Sequence, residues 1–201
     1  MIKAVVFDAD GVLINAERFS LQLEREYGIP VDRVLPFFTG VFQQCLVGKA
    51  NLKEVIEPHL SEWGWKGSVD ELLTFWFKAE HSIDEEMISI VQSLKGKIHV
   101  FMATNQEQCR VDYMTNEMGF GEIFTKIYSS AGIGELKMNS EFFARMVQDI
   151  QQNFIPDIQP SEILFFDDAQ ENIKGANDFG IQGHFFTGIE DFKKKLAEAG
   201  L

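Results

Sequence analysis

The sequence predicts an α/β protein: a doubly wound parallel sheet forming a Rossmann-like core, with a small α-helical cap inserted into it. Three observations carry this reading. Short segments are continuously apolar, stretches of helix length separate the later ones, and about 90 residues lie between the first two segments, far more than one crossover helix needs.

The apolar segments are residues 4–7, 98–103, 163–166 and 184–186, with a weaker fifth at 126–129. They do not alternate with polar residues, which suits strands covered on both faces by helices. Between them, residues 106–118, 140–152 and 171–179 have the length of crossover helices, and the first and last end before Gly119 and Gly180. The long interval shows helical spacing, with Phe19, Leu21 and Leu23 before Gly28-Ile29-Pro30 and a second cluster at Leu72, Leu73, Phe75, Trp76 and Phe77. Pro30, Pro36, Pro58 and Gly64 are expected to divide it into several short helices. The expected organisation is a core of residues 1–14 and 83–201 and a cap of residues 15–82, joined by two crossings near residues 14–18 and 80–85.

Composition excludes some partners. The chain has 201 residues, 45% of them apolar, and a formal charge of -13 from 31 acidic and 18 basic residues. That balance disfavours a phosphate-backbone surface, so nucleic acid is not an expected partner. No apolar run approaches the roughly 20 residues of a membrane-spanning helix, and a soluble cytoplasmic protein without a membrane partner is expected. Cys45 and Cys109 have no metal-like or redox-like spacing and are expected as reduced thiols. Lys193-Lys194-Lys195 reads as a solvated helix face.

The chemistry concentrates at strand ends. Asp8, Asp10 and Gly11 follow the first apolar segment, and Asp167 and Asp168 follow the fourth. Open α/β sheets place their ligand crevice at the carboxyl ends of the strands. Converging carboxylates there call for compensation, and a hard cation such as Mg2+, which accepts carboxylate, water and substrate phosphate, is the simplest. Thr104 and Asn105 offer a hydroxyl and an amide at the end of the second strand, and the helix N-terminus that follows is expected to receive an anion. Lys137 precedes the helix near Ser140 and could bring a point charge to the same crevice.

In order along the chain, Phe7-Asp8-Ala9-Asp10-Gly11-Val12-Leu13, Ala103-Thr104-Asn105, Lys137, and Phe166-Asp167-Asp168 through Asn172 resemble the four motifs of the haloacid dehalogenase-like superfamily. The long insertion resembles that superfamily's helical cap. The resemblance implies a Mg2+-dependent phosphatase acting on a small phosphorylated metabolite. Asp8 would be the nucleophile and Asp10 the acid and base. Thr104, Asn105 and Lys137 would bind the phosphoryl group. Asp8, the backbone carbonyl of Asp10, Asp167 and Asp168 would hold the metal. Met138 departs from the pattern, since proline often follows the lysine. Gln43, Lys49, Trp63, Trp65 and His81 lie in the insertion, but none is nominated as a substrate ligand.

The same motifs would serve a phosphomutase, and the same core could carry a 2-haloacid dehalogenase or a catalytically silent interaction domain. Asp10 weighs against the dehalogenase, which needs no proton shuttle there. The motif order disagrees with a phospho-acceptor receiver domain. An EF-hand-like loop fails because Leu13 and Phe19 stand where glycine and the bidentate glutamate belong.

Overall fold

A computed structural model describes residues 1–201. A five-stranded sheet, parallel throughout, has the order β3-β2-β1-β4-β5, from β1 (Ala4–Phe7), β2 (His99–Thr104), β3 (Lys126–Ser129), β4 (Ile163–Asp167) and β5 (Gln182–Phe185). Between β1 and β2 run α1 (Phe19–Tyr27), α2 (Val31–Thr39), α3 (Phe42–Leu46), α4 (Leu52–Ile56), α5 (His59–Trp63), α6 (Val69–Ala79) and α7 (Glu85–Leu94). The crossovers that follow contain α8 (Gln108–Asn116) and α9 (Phe120–Ile123), then α10 (Ser130–Ile133) and α11 (Ser140–Asn153), then α12 (Gln170–Phe179), and α13 (Ile189–Glu198) closes the chain.

Successive strand residues point to opposite faces, so each strand feeds two cores. Val5, Phe7, Val100, Met102, Leu164 and Phe166 pack with residues of α7, α8 and α13. Ala4, Val6, Phe101, Ala103, Ile163 and Phe165 pack with α11 and α12. Burial on both faces explains the continuous apolar runs. Two strands extend one residue past their apolar runs, to Thr104 and Asp167, because backbone pairing continues whatever the side chain. The last strand departs further from expectation, running over Gln182–Phe185 rather than 184–186 with Gln182 and Phe185 exposed. It is an edge strand, paired only with β4, so continuous apolarity is no guide to it.

The inserted helices have a core of their own, in which Phe19, Leu23, Phe37, Trp63, Leu72 and Trp76 are buried together. Burying each such side chain contributes about 1.5–3 kcal/mol. Pro30 and Pro58 stand at helix starts, and Gly64 ends α5 with a left-handed φ of 84°. Pro36 does not break the chain as expected: it lies inside α2. The proline removes the hydrogen bond to the carbonyl of Asp32, but both residues are exposed, so water can take its place while Val34 and Phe37 are buried on the other face.

The two crossings between sheet and insertion run side by side. Asn15 N–H donates to Ser82 O at 2.8 Å, Asp84 N–H to Leu13 O at 2.9 Å, and Asn15 Nδ2 to Asp84 Oδ2 at 3.0 Å. Buried Arg110 of α8 donates to the carbonyls of Phe77 and Glu80, at 3.1 and 3.0 Å, where the chain leaves α6. Gly48 touches the carbonyl of Ala131 in α10, a close approach that leaves no room for a Cβ. No helix is long and apolar enough to cross a membrane.

Candidate active site

β1 is the central strand, and the chain builds β2 and β3 on one side of it before returning to place β4 on the other. Ligand crevices of open α/β sheets open at such a reversal, beyond the carboxyl ends of the strands. Phe7 is level with Met102 and Phe166, and Asp8 N–H donates to Phe166 O at 2.9 Å. This register brings Asp8, Thr104 and Asp167 to the same edge. Asp8, Asp10, Thr104, Asn105, Lys137, Asp168 and Asn172 line one cleft of ≈ 470 Å³, in which Ile14 and Ala16 are the only apolar lining residues. Asp167 is fully buried behind it.

Lys137 is the hub, with its Nζ 2.5 Å from Asp8 Oδ1 and 2.7 Å from Asp167 Oδ2, and it also donates to Ala103 O at 3.1 Å. Its backbone N–H donates to Asn105 Oδ1 at 3.0 Å, so Asn105 holds the lysine loop as well as lining the cleft. Met138 is exposed and leaves that loop intact, while the carbonyls of Lys137 and Met138 press on Gly175 of α12, where a Cβ would clash. Asn172 Nδ2 donates to both oxygens of Asp167, at 3.0 and 3.1 Å, and Ala169 N–H reaches Oδ1 at 2.8 Å.

One ammonium cannot neutralise this cluster. Burial, which disfavours ionisation, and the neighbouring Asp167 outweigh Lys137 and hold the Asp8 carboxyl well above its usual range. Burial alone would lower the Lys137 ammonium, but Asp8 and Asp167 together hold it above its usual value, and it stays charged. Carboxylate oxygens of Asp8, Asp167 and Asp168 lie within 4.8 Å of one another, an all-oxygen set suited to a hard divalent cation. Both donors to Asp8, Ala9 N–H and Lys137 Nζ, engage Oδ1, which leaves Oδ2 free for chemistry.

Asp10 stands apart from that cluster. Its carboxylate reaches solvent at the cleft mouth, although most of its surroundings are protein. Burial raises its pKa against the pull of Arg110, Lys137 and the hydrogen bond from Gln106 Nε2, 2.5 Å from Oδ2. The Thr104 side chain is buried at the cleft floor. The helix N-terminus beyond it is not open to an anion as expected. Buried Glu107 caps α8 by accepting Cys109 N–H at 2.7 Å and Arg110 N–H at 2.6 Å, so the position is already filled by a carboxylate.

Asn15, Arg18 and Glu80, which also line the cleft, escaped the sequence reading, as did Gln106. They lie outside the four motifs; the only signal was the place of Asn15, Arg18 and Glu80 at the two crossings and that of Gln106 directly after Asn105. Gln43, Lys49, Trp63, Trp65 and His81 do not line the cleft.

Comparison with known proteins gives the family and the fold. A curated relative, the D-ribitol-5-phosphate phosphatase of Bacteroides thetaiotaomicron, is 25% identical over 206 residues, covering 98% of this chain and 97% of its own. A crystal structure of a haloacid dehalogenase-family enzyme from the same organism superposes with a TM-score of 0.80 at 22% identity, over 97% of this chain and 98% of that one. A structure of that enzyme with magnesium and inorganic phosphate gives 0.77 at 23% identity, over 92% and 94%. Residues 2–180 match the family model of haloacid dehalogenase-like hydrolases, which takes in all four strand-end motifs, and the chain belongs to that family.

Proposed function

We propose that this chain hydrolyses small phosphate monoesters with Mg2+, with the inserted residues 15–82 acting as a cap over the site. The observation that carries the proposal is the shared lysine: Lys137 bridges Asp8 and Asp167, yet Asp8 remains short of positive charge. Asp8, Asp167 and Asp168, with the backbone carbonyl of Asp10, would hold the metal, which supplies charge neutralisation between the carboxylates and the substrate phosphate.

The residues divide the work. Thr104 and Lys137 bind the transferring phosphoryl group, and Asn105 orients the Lys137 backbone. Asp8 Oδ2 attacks phosphorus, and the bond from phosphorus to the leaving oxygen breaks as Asp10 gives that oxygen its proton. The raised pKa of Asp10 suits a group that must arrive protonated. Asp10 then takes a proton from water, the water oxygen bonds to phosphorus, and the bond to Asp8 breaks to release inorganic phosphate. Gln106 holds Asp10 in place through both steps.

The similarity to a ribitol phosphate phosphatase makes five-carbon polyol phosphates the first esters to test. Phosphate release from a panel of monoesters, with Mg2+ or chelator, should require both the metal and Asp8 and vanish in Asp8→Asn. Turnover that survives chelation or Asp8→Asn would overturn the assignment.

A further inference from the structure

Arg18 carries a feature that the phosphoryl-transfer chemistry does not use. It lies at the first crossing from the sheet into the insertion and immediately precedes α1. Its guanidinium is exposed and takes part in no ion pair and no side-chain hydrogen bond, although acidic residues outnumber basic ones 31 to 18. Arg18 and Glu80 are shared by the catalytic cleft and by a second cavity of ≈ 240 Å³ between α1, α2 and α6. Besides these two, that second cavity is lined by Ser20 and six apolar residues, Phe19, Val31, Val34, Leu35, Phe38 and Trp76. Arg18 therefore stands on the boundary between a polar chamber and an apolar one.

The backbone at this boundary is fixed. Glu80 Oε1 accepts Phe19 N–H at 2.9 Å, and Oε2 accepts Trp76 Nε1 at 2.8 Å, so Glu80 grips the residue next to Arg18. Glu80 is itself tied to the sheet domain, because its carbonyl accepts from Arg110. Lys137, the other cation lining the cleft, is committed to Asp8 and Asp167. Thr104 and Asn105 lie at the phosphoryl end with Lys137, and Asn15 Nδ2 already donates to Asp84, so the uncommitted cation left for a leaving group is Arg18.

We propose that Arg18 reads the leaving group of the substrate, selecting phosphate esters of short hydroxylated chains over alkyl esters of equal length. The proposal rests on the phosphatase reading and names the substrate class within it. The forked N–H groups of arginine can engage two oxygen acceptors at once, and the hydroxyls can donate in turn to the carboxylate of Glu80. A second anion on the leaving group is disfavoured, because the carboxylates of Asp8, Asp10, Glu80 and Asp168 outnumber Lys137 and Arg18, the two cations that line the cleft with them. Chain length is limited as well. Beyond Arg18 six of the second cavity's lining residues are apolar, and Ser20 and Glu80 are the only other partners it offers a hydroxyl.

The test is steady-state kinetics with Mg2+ on three esters: a five-carbon polyol phosphate, pentyl phosphate, and a phosphate ester bearing a carboxylate. The native protein, Arg18→Met and Arg18→Lys are compared. We expect the native protein to prefer the polyol ester. Arg18→Met should lower that preference, as a ratio of kcat/KM values to pentyl phosphate, by about tenfold, mainly through KM. Arg18→Lys should restore part of it. An equal fall on the polyol and pentyl esters would overturn the proposal, as would a native preference for the carboxylate ester that Arg18→Met removes. Failure of the phosphatase reading looks different, since the native protein would then release phosphate from none of the three.

Discussion

Lys137 Nζ and Asp8 Oδ1 are 2.5 Å apart in the buried floor of the cleft, although 129 positions separate them in the chain. Only the parallel placement of β1 and β4, with the Lys137 loop laid across Gly175, brings them together. Lys137 opposes the burial that raises the Asp8 carboxyl but does not overcome it.

Lys137→Met leaves Asp8 and Asp167 without their shared cation. Turnover should be lost and the metal-free protein destabilised by about 3–5 kcal/mol, the usual cost of leaving a buried charge uncompensated. Mg2+ should recover part of that stability by binding the folded state. Urea unfolding of both proteins, with Mg2+ and with chelator, checks this; equal stability of the two in chelator would refute it.

Gly11 has a φ of 77°, and a Cβ there would overlap the carboxylate of Asp168. Gly11→Ala should therefore cost about 1–2 kcal/mol from the left-handed backbone. It should also displace a proposed metal ligand. Calorimetric titration with Mg2+ should show weakened binding, and unchanged affinity would remove Asp168 from the metal site.

Arg110→Met removes the two hydrogen bonds to the carbonyls of Phe77 and Glu80. The native guanidinium leaves its Nε buried without a partner, so it is already imperfectly satisfied. A loss of about 2–4 kcal/mol is expected. Amide exchange should quicken at the end of α6 and at the second crossing, and Arg110→Lys should restore part of the protection. Unaltered exchange there would show that the tether does not hold the insertion.

Asp149 gives a pH-dependent prediction far from the cleft. Burial alone would raise its carboxyl, but Lys126 Nζ at 2.9 Å and Tyr128 Oη at 2.7 Å hold it below the usual range. A depressed folded pKa contributes stability above the unfolded value of about 3.9, and that contribution is lost as pH falls through the folded value. Asp149→Asn should be less stable than the native protein at neutral pH and lose less on acidification below about pH 4. Urea midpoints measured against pH should converge in acid; a constant gap would refute the cluster's role.

The sequence by itself determined the elements whose signals are local. Continuous apolar runs marked the central strands because both faces are buried, and Gly180 marked the end of α12, whereas Gly119 caps the start of α9 after α8 has already ended at Asn116. Asp8, Asp10, Asp167 and Asp168 were legible because converging carboxylates at strand ends are rare without a purpose, and Lys137 only through its place in the order of the four motifs. Tertiary structure decided what depends on neighbours. An edge position let β5 be half polar, and an exposed helix face let Pro36 sit within α2. Glu107 filled the helix N-terminus that sequence alone left open. Asn15, Arg18 and Glu80 gained their place in the cleft only when the two crossings aligned, because which surface a loop residue faces is set by packing far along the chain.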